Sequence, residues 1–361
     1  MLSYKEGIIT EILQSYEDIT WIRVKLEDEI SKAVNYNNIT GSANIGDKVV
    51  LNTTALELKL GTGGYHFVIY NSSNKIKNMP NDPGHIMKLR YTPFQLKVLS
   101  AEEQESPYHE AFKSFKSLES SLYIVGTLHS MLAPIIASLK YIEPNLKITY
   151  IMTDAGALPL SFSQTVKKLK ELKLLDTTIT VGHAFGGDIE CVNIYTGIIA
   201  AKLVAKSDIT IITMGPGIVG TGTQYGFSGI EQASIIDAVN KLGGISIAIP
   251  RISFSDTRDR HKGISHHTLT ILENIACTRT NVVFPILKKE YEKLISLQLE
   301  KSNINKKHNI IYENGSEVLN ALNYFSLNVK TMGRSYHDDE AFFLTMGAVA
   351  KAGIKFLEND Q

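Results

Sequence analysis

One short stretch of this 361-residue chain concentrates side chains that can do chemistry: Asp256, Arg258, Asp259, Arg260 and, a few positions on, His266 and His267. A guanidinium presents a planar fork of N–H donors. Arg258 and Arg260 therefore have the geometry to clamp a carboxylate or a phosphate. An imidazole beside them, His266 first, could take or give a proton near neutral pH. The plainer reading is a solvated loop whose ions pair with each other.

A second stretch runs Gly215-Pro216-Gly217-Ile218-Val219-Gly220-Thr221-Gly222-Thr223. Gly215, Gly217, Gly220 and Gly222, with Thr221 and Thr223, can bring backbone N–H groups and hydroxyls to an anion. The spacing matches G-x-G-x-x-G, but a dinucleotide fold needs a helix opening inside the motif and an acidic residue closing the next strand. Here that strand closes on Pro250-Arg251, which disfavours a nicotinamide cofactor. Gly217 to Gly222 has P-loop spacing, yet Thr223 stands where lysine is required, which excludes a P-loop. An anion-contacting loop and a purely structural turn both remain.

A third group is His183, Asp188 and Glu190. With His266 or His267 it could ligate zinc, manganese or iron, although no H-x-x-x-H or H-E-x-x-H pattern accompanies it. Adjacent histidines are expected to point apart, so at most one of His266 and His267 should face a site. Asp154 and Asp188 could instead cap helices. His129 and Ser130 follow another strand, with Ser130 a possible helix cap. No G-x-S-x-G elbow occurs there or at 226–229, which disfavours a serine hydrolase. The acidic residues Asp338, Asp339 and Glu340 suit the start of a helix. The expected catalytic set is therefore His183, Asp188 and His266. The expected ligand-binding set is Gly215, Gly217, Gly220, Thr221, Gly222, Thr223, Arg258, Arg260, His129 and Asp154. Cofactor and metal are left unassigned.

What must position these residues is an α/β domain. From about residue 108, short apolar runs alternate with helical patterns: 122–125, 147–152, 177–181, 208–213, 245–249, 281–285 and 308–312. These runs lack polar alternation, as expected of strands covered by helices on both faces. The fold class expected is a doubly wound, mostly parallel, Rossmann-like sheet over 96–361, closed by a helix at 337–356. Phe342, Phe343, Met346, Ala350 and Ile354 of that helix read as a packing stripe. Residues 1–95 carry short strands at 7–13, 19–26, 32–36, 47–52 and 65–70, punctuated by Gly, Asn and Asp, and read as a small β-barrel. Residues 78–85 form a breaker-rich turn. Glu102, Glu103 and Glu105 read as a solvated acidic linker. Ligands of open α/β sheets bind beyond the carboxyl ends of the strands. Gly, His, Asp and Arg gather on that edge here, while the opposite loops are plain.

Lysine plus arginine balance aspartate plus glutamate at 37 each, so a general polyanion-binding surface is not expected and nucleic acid is not an expected partner. Cys191 and Cys277 lack the paired spacing of a disulfide framework or zinc ribbon. No secretory leader or membrane span is read, so cytoplasm is the default compartment. The partner expected is a small anionic ligand, with a homodimer open.

Segments 84–93 and 258–267, together with 182–188 and the glycine loop, are similar to a family of bacterial proteins of unknown function, and the resemblance extends over nearly the whole chain. It implies one conserved arrangement in a cytoplasmic bacterial protein. It implies no activity and no residue roles.

Overall fold

The computed structural model describes residues 2–27, 29–61, 63–74 and 82–359. The turn expected at 78–85 thus lies partly outside the described residues, since 78–81 are not among them. The chain divides into two compact units, residues 1–83 with 89–96, and residues 84–88 with 97–361.

The first unit is a closed barrel of β1 (Tyr4–Ser15), β2 (Ile19–Lys25), β3 (Ile30–Tyr36), β4 (Lys48–Asn52) and β5 (His66–Asn71). Its order is β1-β2-β3-β5-β4, and β3 pairs with β5 in parallel while the other pairs are antiparallel. That is the strand order of an OB-type barrel. Ile22 and Val24 point inward with Ile9, Val49, Leu51 and Val68, whereas Arg23 and Lys25 between them face solvent. The two-residue period of the sequence is thus the period of the barrel wall.

The second unit is built on an eight-stranded sheet. Its strands are β6 (Leu122–Val125), β7 (Ile148–Thr153), β8 (Thr177–Thr180), β9 (Ile189–Glu190), β10 (Ile209–Met214), β11 (Ile245–Ala248), β12 (Asn281–Pro285) and β13 (Asn309–Glu313). They lie in the order β9-β8-β7-β10-β6-β11-β12-β13, all parallel. The helices are α1 (Leu132–Ile142), α2 (Gln164–Glu171), α3 (Ile194–Leu203), α4 (Gln232–Lys241), α5 (His266–Leu269, running into a π-helical stretch Thr270–Ile275), α6 (Lys289–Lys301), α7 (Val318–Tyr324) and α8 (Glu340–Asn359).

Both faces of the sheet are covered. Ile148, Tyr150, Ile209, Ile211 and Ile247 pack with Leu132 and Ile136 of α1, Leu169 of α2, Val318 of α7 and Phe342, Phe343 and Met346 of α8. The alternate residues Tyr123, Val125, Ile151, Ile179, Ile212 and Phe284 pack with Ile198 of α3, Ile236 of α4, Ile271 and Ile295. This is why the strand sequences are apolar throughout rather than alternating. The α8 stripe is core, as its spacing indicated. Helix α8 begins at Glu340 rather than 337, because Asp339 is drawn into an ion cluster described below. Among the described residues no helix is long and apolar enough to cross a membrane.

The acidic run at 102–105 is only partly solvated: Glu105 is exposed, but Glu103 is not. Glu103 is buried and accepts the backbone N–H of His85 at 2.8 Å and of Ser100 at 2.5 Å. Glu105 accepts from Gly84 N at 2.6 Å, and Glu102 from Val192 N at 2.8 Å. These carboxylates pin backbone donors that would otherwise be orphaned.

Candidate functional site

Strand order locates the crevice. β6 and β10 are neighbours, yet the chain leaves β6 through α1 on one face and leaves β10 through α4 on the other. Where adjacent connections part to opposite faces, the loops at the carboxyl ends open a cleft. The loops here are 126–131 after β6, 215–231 after β10 and 249–265 after β11, joined by 331–339 ahead of α8.

These loops touch. Thr127 of the first lies against Gly229 of the second, whose Cβ, if present, would fall 3.2 Å from the threonine Cβ. Ser130 Oγ is 3.1 Å from Thr331 Oγ1. The glycine loop folds on itself: Thr221 N donates to Gly226 O at 2.8 Å, Ser228 N to Val219 O at 3.0 Å, and Gly226 N to Thr223 Oγ1 at 3.2 Å. Gly217 turns with φ 109°, a left-handed conformation that a side chain would strain. At its base, a Cβ on Gly215 would meet Ala157 O at 2.5 Å, so the loop sits directly on the one after β7. At its far side, Cβ atoms on Gly220 and Gly222 would come within 3.8 Å of His267 Nε2 and 3.9 Å of Arg260 Nη2. Phe227 anchors this contact by stacking face to face on His267, centroids 3.8 Å apart.

Three imidazoles gather there. His261, His266 and His267 have ring centroids 4.3 to 5.0 Å apart, and one ligating nitrogen from each lies within 4.8 Å of the others. His266 and His267 therefore share a site rather than diverging. They open α5, whose cap Ser265 accepts the His267 N–H, and Ser265 Oγ also sits 2.7 Å from His261 Nδ1. Burial and then the Arg251 charge hold His261 at about 3. Burial and the two neighbouring imidazoles hold His267 at about 3 as well. His266 is lowered by burial, then by Arg260, Arg251 and Arg258. All three are neutral at pH 7. The Nε2 of His266 is buried without a hydrogen-bond partner.

Beside the imidazoles is an ion cluster. Asp256, nearly buried, accepts Nε and Nη2 of Arg258 at 2.9 and 2.8 Å, and Nη2 of the buried Arg251 at 3.2 Å. Arg334 Nη2 stands 3.7 Å away, and its Nε bonds Asp339 Oδ2 at 3.1 Å. Ser253 donates to the same Asp339 oxygen at 2.7 Å. Asp339 Oδ1 and Thr127 Oγ1 are buried and unpartnered. Three guanidiniums thus face two carboxylates, and the Arg258 bonds hold the Asp256 carboxyl well below the ordinary range. Burial lowers Arg251 to about 10, so it keeps its charge at neutral pH.

On the other flank, Glu231 accepts Thr153 Oγ1 at 2.6 Å, and burial raises its carboxyl to about 7. Nothing in the local sequence marks Glu231, which reads as an ordinary first-turn glutamate.

The structure distributes the expected residues as follows. Gly220, Gly222, Arg260 and His266 come together. Arg258 lies next to them but is engaged by Asp256. Asp154 meets His183 through its Oδ2, which accepts the His183 backbone N–H at 3.0 Å, on the loops after β7 and β8. Asp188 accepts Thr178 N and Oγ1 at 2.8 Å and pairs with Lys170 at 2.5 Å. It therefore ties the sheet edge and caps no helix; α2 and α3 are capped by Ser163 and Asn193. β8 and β11 are four positions apart, about 19 Å at ~4.8 Å per strand. His183 and Asp188 consequently do not join the His266 cluster, and among the described residues the histidine trio is the group with metal-ligating spacing. His129 is partly buried and held by side chains, its Nε2 2.7 Å from Ser163 Oγ and its Nδ1 3.2 Å from Tyr150 OH, with burial holding it at about 4. The final loop is not simply dipole-favoured acid, since Asp339 is buried on Arg334 and Ser253.

A groove of about 1060 Å³ lies on the barrel, walled in part by Tyr4, Lys5, Lys25, Lys48 and Tyr70.

The model of a family described as "Protein of unknown function (DUF3866)" matches residues 32–350. The chain belongs to that family. The match begins within β3, so it takes in β4, β5 and most of β3 but not β1 or β2, and it covers every strand of the sheet. No curated protein matches the chain.

Proposed function

We propose that this protein binds a small phosphate- or carboxylate-bearing molecule over the carboxyl ends of β10, β6 and β11. The observation that carries the reading is the guanidinium surplus. Arg251, Arg258 and Arg334 converge on Asp256, with Asp339 the second carboxylate paired to them among the described residues, and Arg260 adds another charge beside His266 and His267. Like charges held close in a partly dry site are costly unless an anion joins them. The unpartnered Asp339 Oδ1 and Thr127 Oγ1 then serve hydroxyl or amide groups on the same ligand. Chemistry on that ligand would fall to Glu231, bonded to Thr153 at the end of β7, whose raised carboxyl takes or gives a proton near neutral pH.

Thermal unfolding with a panel of inorganic phosphate, sugar phosphates, nucleotides and polycarboxylates tests this. A bound anion raises the melting temperature by mass action. The panel should contain hits whose effect exceeds a chloride control at equal ionic strength and shrinks in Arg260→Ala. A panel with no effect beyond chloride contradicts the reading.

A further inference from the structure

We infer that His261, His266 and His267 bind a first-row transition metal ion, with zinc, iron(II) or copper the fitting class. Three imidazoles leaving a further position open is a recurrent catalytic metal arrangement, and nitrogen donors suit these ions over magnesium or calcium. The site uses neither His183 nor Asp188.

The geometry is close to what an ion needs. One nitrogen of each ring lies within 4.8 Å of the others. Metal–nitrogen bonds of about 2.0–2.1 Å would ask each ring to close in by under about 1 Å. The ring with most to gain is His266, whose Nε2 is buried and has no hydrogen-bond partner. The ring of His261 is oriented by Ser265 on its Nδ1 at 2.7 Å, the kind of supporting bond metal-ligating histidines carry. His267 is fixed flat on Phe227. The helix that carries His266 and His267 passes into a π-helical turn, a departure that clusters at functional sites.

The nearby arginines oppose a bare dication. Asp256 offsets part of that charge, and an anion in the open position offsets more, so the ion and the anionic ligand suit one cleft. The metal inference goes beyond the anion reading and stands on different side chains.

The test is a cobalt(II) titration of chelator-treated full-length protein, followed by visible absorption and by metal analysis after desalting. One cobalt per chain, with the intense ligand-field bands of a four- or five-coordinate site, is expected. His266→Gln and His267→Phe, the latter keeping the stack on Phe227, should each weaken binding by about 100-fold or more, beyond the 10–100-fold typical of losing a supporting group. Arg260→Ala should leave the bands in place. Folded wild-type protein that takes up no cobalt, or variants that bind it as tightly as wild type, would overturn the inference. The phosphate-dependent thermal shift measured in chelator reads the anion site separately, so each proposal can fail alone.

Discussion

The ring of His267 lies flat on the ring of Phe227, with centroids 3.8 Å apart and planes 7° from parallel. This contact ties the glycine loop after β10 to the histidine turn after β11. It also explains why a loop so rich in glycine holds one shape: Phe227 is buried, and Gly220 pairs with it across the loop.

Phe227→Ala should therefore cost about 3 kcal/mol or more of stability, as expected for emptying a buried aromatic site. Phe227→Tyr should cost far less, because the stack survives. Denaturant unfolding of both variants checks this. Equal losses would mean that the stack does not hold the loop.

Asp256 is the carboxylate on which the arginines depend. Asp256→Asn leaves the buried Arg251 guanidinium without its carboxylate and facing Arg258 and Arg334, and should destabilise by about 3–5 kcal/mol. Sulfate should then raise the melting temperature of the variant more than that of wild type, since an external anion replaces the lost charge. A variant as stable as wild type, or one indifferent to sulfate, would contradict the electrostatic account.

Acid should weaken the fold through the histidines. His261 and His267 are held at about 3, below the ~6.5 of an unfolded chain. Above pH 6.5 both states are neutral there and nothing is lost. As pH falls from 6.5 toward 3, the unfolded chain binds protons that the folded one refuses, so stability drops by about 1.4 kcal/mol per pH unit for each histidine. His267→Phe should flatten this slope between pH 6 and 4. An unchanged slope would place the acid sensitivity elsewhere.

Glu231 has the opposite sign. Its folded value of about 7 lies above the ~4.3 of an unfolded glutamate, so its contribution is fully present below pH 4 and is lost as pH rises through 7. Glu231→Gln should therefore stabilise the protein by about 3 kcal/mol more at pH 8 than at pH 4. Unfolding curves at the two values give that difference directly. A pH-independent effect would mean the carboxyl is ordinary.

The architecture was legible because burial on both faces leaves a mark in composition. Leu122, Tyr123, Ile124 and Val125 run apolar with no polar residue between them, and the loops after the strands are richer in glycine, histidine and arginine than the plainer loops on the opposite edge. Pairings across the sheet were not legible. Asp339 meets Ser253 86 positions away in the chain, and no local spacing announces it. The rule that neighbouring histidines diverge failed at His266 and His267. Helix α5 starts at that point under the Ser265 cap, and Phe227 from another loop turns one ring back toward the other. Asp188 looked like a ligand after paired glycines, but the nearest unsatisfied donors were Thr178 N and the Lys170 ammonium at the sheet edge. Glu103 looked solvated because an acidic run usually is, and it is buried because two backbone N–H groups required an acceptor.

The most direct measurement is a crystal of the full chain soaked in selenate, an oxyanion whose selenium is located by its anomalous signal. A selenium peak within hydrogen-bonding reach of Arg260 or Arg334, above the ends of β10, β6 and β11, is the predicted result. A selenate bound on the barrel groove or beside His183, with that cleft empty, would contradict the account.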